Sequence, residues 1–210
     1  MNIKITLTTA SSDSFWYIFR HTVPNKVEYC LRWGIQFDMR KLSVGFHWTE
    51  RIKIILKMLD DCDWLWFMGG DTLIMNQTID VKRFINPAFD FIIGKDINGI
   101  NNDVCFFKNS GGSRKFLNKI LSDYSTYPDD QEPMKVIIGS NPPMLPDFKY
   151  CIVPQKFFNS YLYDSEPAYD MYPKSYAGNF KHGDFILHFP GIDNYRREEL
   201  IQKYLSEVIK

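Results

Sequence analysis

The stretch Trp64-Leu65-Trp66-Phe67-Met68-Gly69-Gly70-Asp71 decides the fold. Five consecutive large apolar residues have strand length and no alternation, the pattern of a central strand buried on both faces. The run stops at two glycines and a carboxylate. In parallel α/β sheets ligands gather at the carboxyl ends of the strands, so Gly69, Gly70 and Asp71 mark a candidate site. The glycines allow a ligand close to the backbone, and a carboxylate there suits a hard divalent cation bridging to phosphates. The same residues also fit an ordinary Gly-Gly turn in which Asp71 caps the next element.

Working outward, residues 3–9 alternate at period two and predict a first strand, followed by a Thr/Ser/Asp loop from Thr8 to Asp13. A helix is expected over Phe15–His21, capped by Ser11, Ser12 or Asp13, then a second strand over Tyr29–Phe37. A helix opening at His47 or Thr49 carries Ile52, Ile55, Leu56 and Leu59 at 3.6-residue spacing. Apolar strands are expected over Phe89–Gly94, Val104–Phe107, Tyr150–Val153 and Phe185–Phe189. Helices are expected over Ser113–Leu121, residues 130–139 and Glu198–Ile209. Between Tyr161 and Lys181 the Tyr/Pro/Asp/Ser-rich sequence predicts a long loop over one face, and such loops are often functional. Alternating strands and helices imply one α/β domain over residues 1–210, with a central, mostly parallel sheet flanked by helices.

Composition narrows the function. The 210 residues are 45% hydrophobic and 24% charged, the balance of a folded chain long enough to bury its own core. Lys+Arg and Asp+Glu both number 25, so there is no basic footprint of the kind nucleic-acid binding requires. Aromatic residues reach 16%, which keeps a sugar or nucleotide ligand open, since flat rings stack on both. No run approaches a membrane span, and the start lacks the apolar core of a signal peptide. With Cys30, Cys62, Cys105 and Cys151 scattered among apolar neighbours, the expectation is a cytoplasmic chain with buried thiols.

Two further stretches could carry chemistry. His188 closes a strand before a Pro-Gly turn, as a ligand or as a satisfied buried ring. Asp129-Asp130-Gln131-Glu132 opens a helix, where acidic residues also serve as ordinary caps.

Together these pieces resemble the retaining glycosyltransferases of the GT-A fold, in particular the mannan α-galactosyltransferase and xyloglucan α-xylosyltransferase family. Trp48-Thr49-Glu50-Arg51 with Trp64–Asn76 is similar to the family's tryptophan-led helix, Trp-rich strand and Asp-x-Asp motif. Residues Ile100–Asn109 resemble its Leu-Asn-Thr-Gly strand, and Asp130-Gln131 its acidic-Gln pair. Val153-Pro154-Gln155, Asn159-Ser160-Tyr161 and His188-Phe189-Pro190-Gly191 come next, in the family's order. The ordered set spans roughly residues 45–200. The compact form, without a membrane anchor, also resembles glycosyltransferase domains that chloroviruses use on capsid glycans, which implies a host cytoplasm if the source is viral.

The resemblance implies a UDP-sugar donor, a glycan or glycoprotein acceptor, and Mn²⁺ or Mg²⁺ held by Asp71 and His188. It places Thr8, Thr9 and Ser11 in the uridine pocket. Trp48, Gly69, Gly70 and Gly191 join the donor-binding set, with Asp96 and Asn101 facing the donor sugar and Asp130 and Gln131 the anomeric centre. The nucleotide-binding half falls at about residues 1–110 and the acceptor half at about 111–210. The chain departs from the family where Gly69 replaces the first Asp of the motif, Asp103 its glycine and Glu50 its helix lysine. A catalytically weak nucleotide-sugar or glycan-binding module is the alternative. No GxGxxG follows the first strand, which disfavours a dinucleotide enzyme.

Overall fold

A computed structural model describes residues 3–12, 15–43, 48–173 and 176–210. Six strands form one sheet in the order β2-β1-β3-β6-β5-β7, where β1 is Ile5–Ser11, β2 Gln36–Lys41, β3 Trp64–Met68, β5 Phe91–Asp96, β6 Gly99–Lys108 and β7 Tyr150–Val153. All run the same way except β6, which lies antiparallel between β3 and β5. The ends of β1, β3 and β5 therefore meet the beginning of β6 at one rim. A separate antiparallel ribbon pairs β4 (Thr72–Ile74) with β8 (Ile186–His188).

The central strand is buried along its whole length, and its side chains alternate between two cores. Leu65 and Phe67 pack with Ile52 and Ile55 of α2 (Thr49–Met58), Phe116 and Leu117 of α3 (Gly111–Ser122), and Met134 and Ile137 of α4 (Gln131–Gly139). Trp64, Trp66 and Met68 face Tyr29 and Cys30 of α1 (Trp16–Trp33) together with Ile74 and Ile186 of the ribbon. A third core, with Leu73, Leu187 and Phe189, lies between the ribbon, the Tyr161–Tyr169 segment and α5 (Asn194–Leu205). A side chain of this size buried in full contributes about 1.5–3 kcal/mol, so the sheet is fixed from both faces. Cys30, Cys62, Cys105 and Cys151 are free, and among the described residues no helix is long and apolar enough to cross a membrane.

The N-terminal third corrects the sequence reading twice. The segment Tyr29–Trp33, expected as strand, is the C-terminal end of α1, which continues through Pro24 to a left-handed Gly34 (φ +63°). Ile18, Phe19, Thr22, Lys26, Tyr29 and Cys30 recur at helical spacing and are all buried, so packing outweighs the one hydrogen bond that proline removes. Strand β1 also runs two residues past its expected end at residue 9, to Ser11, which leaves Ser11 no part in capping α1. Asp13 and His47, the alternative cap and helix start, lie outside the described residues.

The polar row of α1 stands in for a strand beside β4. Thr22 Oγ1 donates to Gly70 O (2.8 Å), Lys26 Nζ to Thr72 O (2.7 Å) and Asn25 Nδ2 to Ile74 O (3.0 Å). Asn25 Oδ1 accepts from Ile74 N (2.8 Å), and Tyr29 OH donates to Ile79 O (2.8 Å). These bonds hold the Gly69–Asp71 turn from below. Lys26 is fully buried, and burial pushes its ammonium down to about 7, the nearby Asp71 charge only partly opposing this. An unfolded lysine keeps its proton to a much higher pH, so above about 7 the unfolded state binds more protons and folding stability rises with pH. We expect native stability in urea to climb by up to about 2 kcal/mol between pH 7 and 8.5 relative to Lys26→Met. Parallel profiles for the two proteins would remove this assignment.

Candidate functional site

The rim where β1, β3 and β6 meet carries three ligand-type side chains from distant parts of the chain. Asp71 follows β3, Asp103 lies midway along β6 and His188 ends β8. One ligand atom from each lies within 4.8 Å of the others. His188 Nε2 is 3.4 Å from Asp71 Oδ1 and 3.4 Å from Asp103 Oδ2. The ribbon sets Asp71 and His188 side by side, with Thr72 opposite His188 and Phe189 N–H donating to Asp71 O (3.0 Å).

The imidazole is held in one orientation. Its Nδ1 lies 2.8 Å from Asn159 Oδ1, so Nδ1 is the donor. Asn159 Nδ2 donates to Tyr161 OH (3.3 Å), which donates to Asp96 Oδ2 (2.8 Å). Nε2 is fully buried and has no hydrogen-bond partner. A neutral ring would then aim a lone pair at two carboxylates, an arrangement that requires a cation between them, either a proton or a metal. Burial opposes protonation, but the Asp71 and Asp103 charges prevail and raise the His188 pKa above its ordinary value. Burial likewise opposes ionisation of Asp71, yet His188 and Arg197 hold it below the usual carboxylate range. An imidazole and two carboxylates form a donor set for Mn²⁺ or a similar divalent ion, so the residues fit the metal that the resemblance implies.

Two cavities flank this cluster. The first, of about 300 Å³, is walled by Ala10, Ser11, Ser12, Phe15, Trp48 and Arg51 and floored by Gly69, Gly70 and Asp71. Ser11, Trp48, Gly69 and Gly70, expected at the donor, all line it. Thr8 and Thr9, expected with them, do not: they sit one step back in β1, fully buried. The strand runs further along the chain than its alternation suggested, so the cavity wall begins at Ala10. The second cavity, of about 320 Å³, is lined by Asp96, Asn101, Gln131 and Gly191 and by Tyr161, Tyr163, Tyr169 and Tyr172. Its outer wall is the segment Tyr161–Tyr172, tied down by Tyr169 OH donating to Pro190 O (2.6 Å) and by Glu166 paired with Arg196 (2.8 Å).

Asp130 and Gln131 divide between the two cavities. Both carboxylate oxygens of Asp130 accept from Arg51, and one also accepts from Asn102 Nδ2 (2.9 Å). Asp130 lines the first cavity behind that pair, whereas Gln131 faces the second and accepts from Asn102 N (3.2 Å). The helix cap is Asp129, whose Oδ1 accepts from the backbone of Gln131 and Glu132 (2.9 Å each). Asp96 is the only carboxylate among the described residues lining the second cavity. Its oxygens are held by Tyr161 OH, Asn101 Nδ2 (3.3 Å) and Asn98 N (2.7 Å).

Three charged residues escaped the sequence reading. Asp103 was visible only as a departure from the family's glycine, with no ligand role attached to it. Arg51 joins Asp130 to Asp103 (3.1 Å). Arg197, on α5, donates to Phe189 O (3.0 Å) and Ile192 O (2.7 Å) and lies 3.7 Å from Asp71, bracing the turn after His188. Neither arginine stands in a pattern that separates it from a surface charge.

Comparison with known proteins identifies the fold. The model of the galactosyl transferase GMA12/MNN10 family matches residues 3–89, from β1 past the ribbon's first strand. The probable α-1,2-galactosyltransferase gmh2 of Schizosaccharomyces pombe is 20% identical over 90% of this chain. The chain spans 65% of that relative's length. Among solved structures, a glycosyltransferase involved in glycosylation of the PBCV-1 major capsid matches with a TM-score of 0.72 at 17% identity, covering 95% of this chain and 99% of that one. The galactosyltransferase LgtC, solved with donor and acceptor sugar analogues, matches with a TM-score of 0.62 at 12% identity, over 98% and 96% of the two chains. The fold is therefore GT-A. Within that fold, the chain resembles the GMA12/MNN10 galactosyltransferases.

Proposed function

We propose that the chain is a divalent-metal-dependent glycosyltransferase that moves a sugar from a UDP-sugar to a glycan hydroxyl with retention at the anomeric carbon. The observation that carries this reading is the buried, unpartnered Nε2 of His188 facing two carboxylates between two cavities. The first cavity suits a nucleoside diphosphate: the Ser11-Ser12 edge and the Gly69-Gly70 backbone offer polar groups, with Phe15 and Trp48 as apolar walls. The second suits a pyranose, whose hydroxyls match Asp96, Asn101 and Gln131 and whose apolar face matches tyrosine rings.

A bound divalent ion would neutralise charge building on the departing diphosphate. Asp71 and His188 would hold it, with Asn159 keeping the ring's donating nitrogen turned away. Arg51 adds fixed positive charge along the first cavity's wall and Arg197 adds it beside Asp71, and the charges of Asp130 and Asp103 keep the Arg51 guanidinium protonated although burial opposes it. Asp130 is committed to Arg51, so it orients that wall rather than meeting the sugar. Gln131 and Asp96 are left to face the anomeric centre. With Asp96 already accepting three hydrogen bonds, attack on the face from which the diphosphate leaves requires the least rearrangement.

Incubation with UDP-galactose, UDP-glucose or UDP-xylose and Mn²⁺ should release UDP from one of them, and EDTA should stop the release. Proton NMR of the product reads the anomeric configuration. Absence of Mn²⁺-dependent UDP binding by calorimetry would overturn the reading. Binding without release would favour the module that holds nucleotide sugars but does not turn them over.

A further inference from the structure

We infer that Asp103 is the third metal ligand, and that positions 69 and 103 share a single carboxylate slot which Gly69 leaves open for it. The inference rests on the metal-dependent reading above and adds the source of the missing ligand. Strands β3 and β6 pair antiparallel up to Met68 and Val104, and the ladder continues with Gly69 N–H donating to Asp103 O (2.6 Å). A Cβ at position 69 would lie 3.2 Å from Asp103 Cβ and 3.3 Å from its Cγ and Oδ1. Such contacts are tighter than side chains ordinarily tolerate, so a side chain at 69 and a carboxylate at 103 compete for one space. Glycine at 69 resolves the conflict in favour of Asp103.

The two oxygens of Asp103 are divided. Oδ1 accepts from Arg51 Nη1 at 3.1 Å, while Oδ2 turns to His188 Nε2 at 3.4 Å. Pairing with Arg51 accounts for the first oxygen only. The second faces a ring nitrogen that is fully buried, lacks a hydrogen-bond partner and is also faced by Asp71. That nitrogen is an independent sign that a cation belongs there. With Asp103 the site offers two carboxylates and an imidazole, and Arg51 keeps the third ligand in register.

Mn²⁺ binding, read from the loss of the free-ion electron paramagnetic resonance signal with and without UDP, tests this apart from turnover. Asp103→Asn should weaken Mn²⁺ by about 10–100-fold. Gly69→Ala removes neither ligand nor charge, yet its methyl group should displace the carboxylate and weaken Mn²⁺ several-fold. Asp103→Gly alone should stay weak, whereas Gly69→Asp combined with Asp103→Gly, which moves the carboxylate to the neighbouring strand, should recover affinity to within about threefold of native. Near-ultraviolet circular dichroism identifies any variant that has lost its fold. If Asp103→Asn does not fold, Gly69→Ala and the exchanged pair carry the test. Native-like Mn²⁺ binding in Asp103→Asn, with binding lost in Asp71→Asn, would remove Asp103 and leave the metal centre standing. A native chain that binds no Mn²⁺ would overturn both.

Discussion

Asp71→Asn should abolish Mn²⁺-dependent UDP binding and lower turnover by at least about a thousandfold, or about 4 kcal/mol, in a protein that remains folded. The change keeps the shape of the side chain and deletes one negative charge from a donor set with few to spare. Metal charge on a departing diphosphate is worth several kcal/mol, and a centre that loads poorly forfeits that stabilisation in every turnover. The fold has independent supports here. His188 still faces Asp103, Arg197 still donates to the carbonyls of Phe189 and Ile192, and Thr22 still holds Gly70 O. Calorimetric titration of UDP in Mn²⁺ and a thermal melt check the two halves of this expectation. A folded Asp71→Asn protein with native Mn²⁺-stimulated UDP affinity would sink the assignment.

The second large effect is on stability. Arg51→Met should destabilise the chain by about 3–5 kcal/mol, because it strands Asp130, 3% exposed, and leaves Asp103 without its cation. For a domain of this size that corresponds to a fall in melting temperature of roughly 6–20 °C. The pair itself is not thereby shown to stabilise the fold, since taking two charges out of water offsets most of their attraction. Adding Asp130→Leu to Arg51→Met should therefore recover a large part of the loss. Additive losses in the double variant would mean that the two residues act separately. Asp130→Asn alone should fall between these limits, losing both stability and turnover, since Arg51 would be freed to swing away from the cavity wall.

How much was legible in the sequence depends on the kind of signal each residue carries. The strand Trp64–Met68 announced itself, since a strand buried on both faces has no polar positions to blur it. The glycines and Asp71 at its end, and His188 before Pro190-Gly191, were legible because ligands collect where such strands stop. The C-terminal part of helix α1 was not, because Pro24 and the stretch Tyr29–Trp33 mimic a break followed by a strand. Only the buried row at helical spacing, which tertiary packing selects, overrides that appearance. Thr8 and Thr9 lie off the cavity because β1 is shifted two residues along the chain from the expected 3–9 and runs on to Ser11; alternation alone fixes neither end of a strand closely. Asp103 and Arg51 lay out of reach for a different reason: each matters through a partner on another element, and pairing between β3 and β6 is a long-range fact. The exchange of Gly69 and Asp103 was visible only as two separate departures until the strands were set side by side.

The ribbon has a thermodynamic consequence. Asp71, just before β4, and His188, at the end of β8, are far apart in the chain, and they become neighbours only when β4 and β8 pair in the observed register. A slip of one residue would turn His188 to the opposite face and dismantle the centre. An unfolded chain therefore cannot collect this donor set, so a metal held there would bind the native state alone and its binding energy would become folding energy. At a free ion concentration a hundred times the dissociation constant, that linkage amounts to about 2.7 kcal/mol. Divalent-ion supply would then govern how long this protein persists in its folded form, before any sugar is transferred.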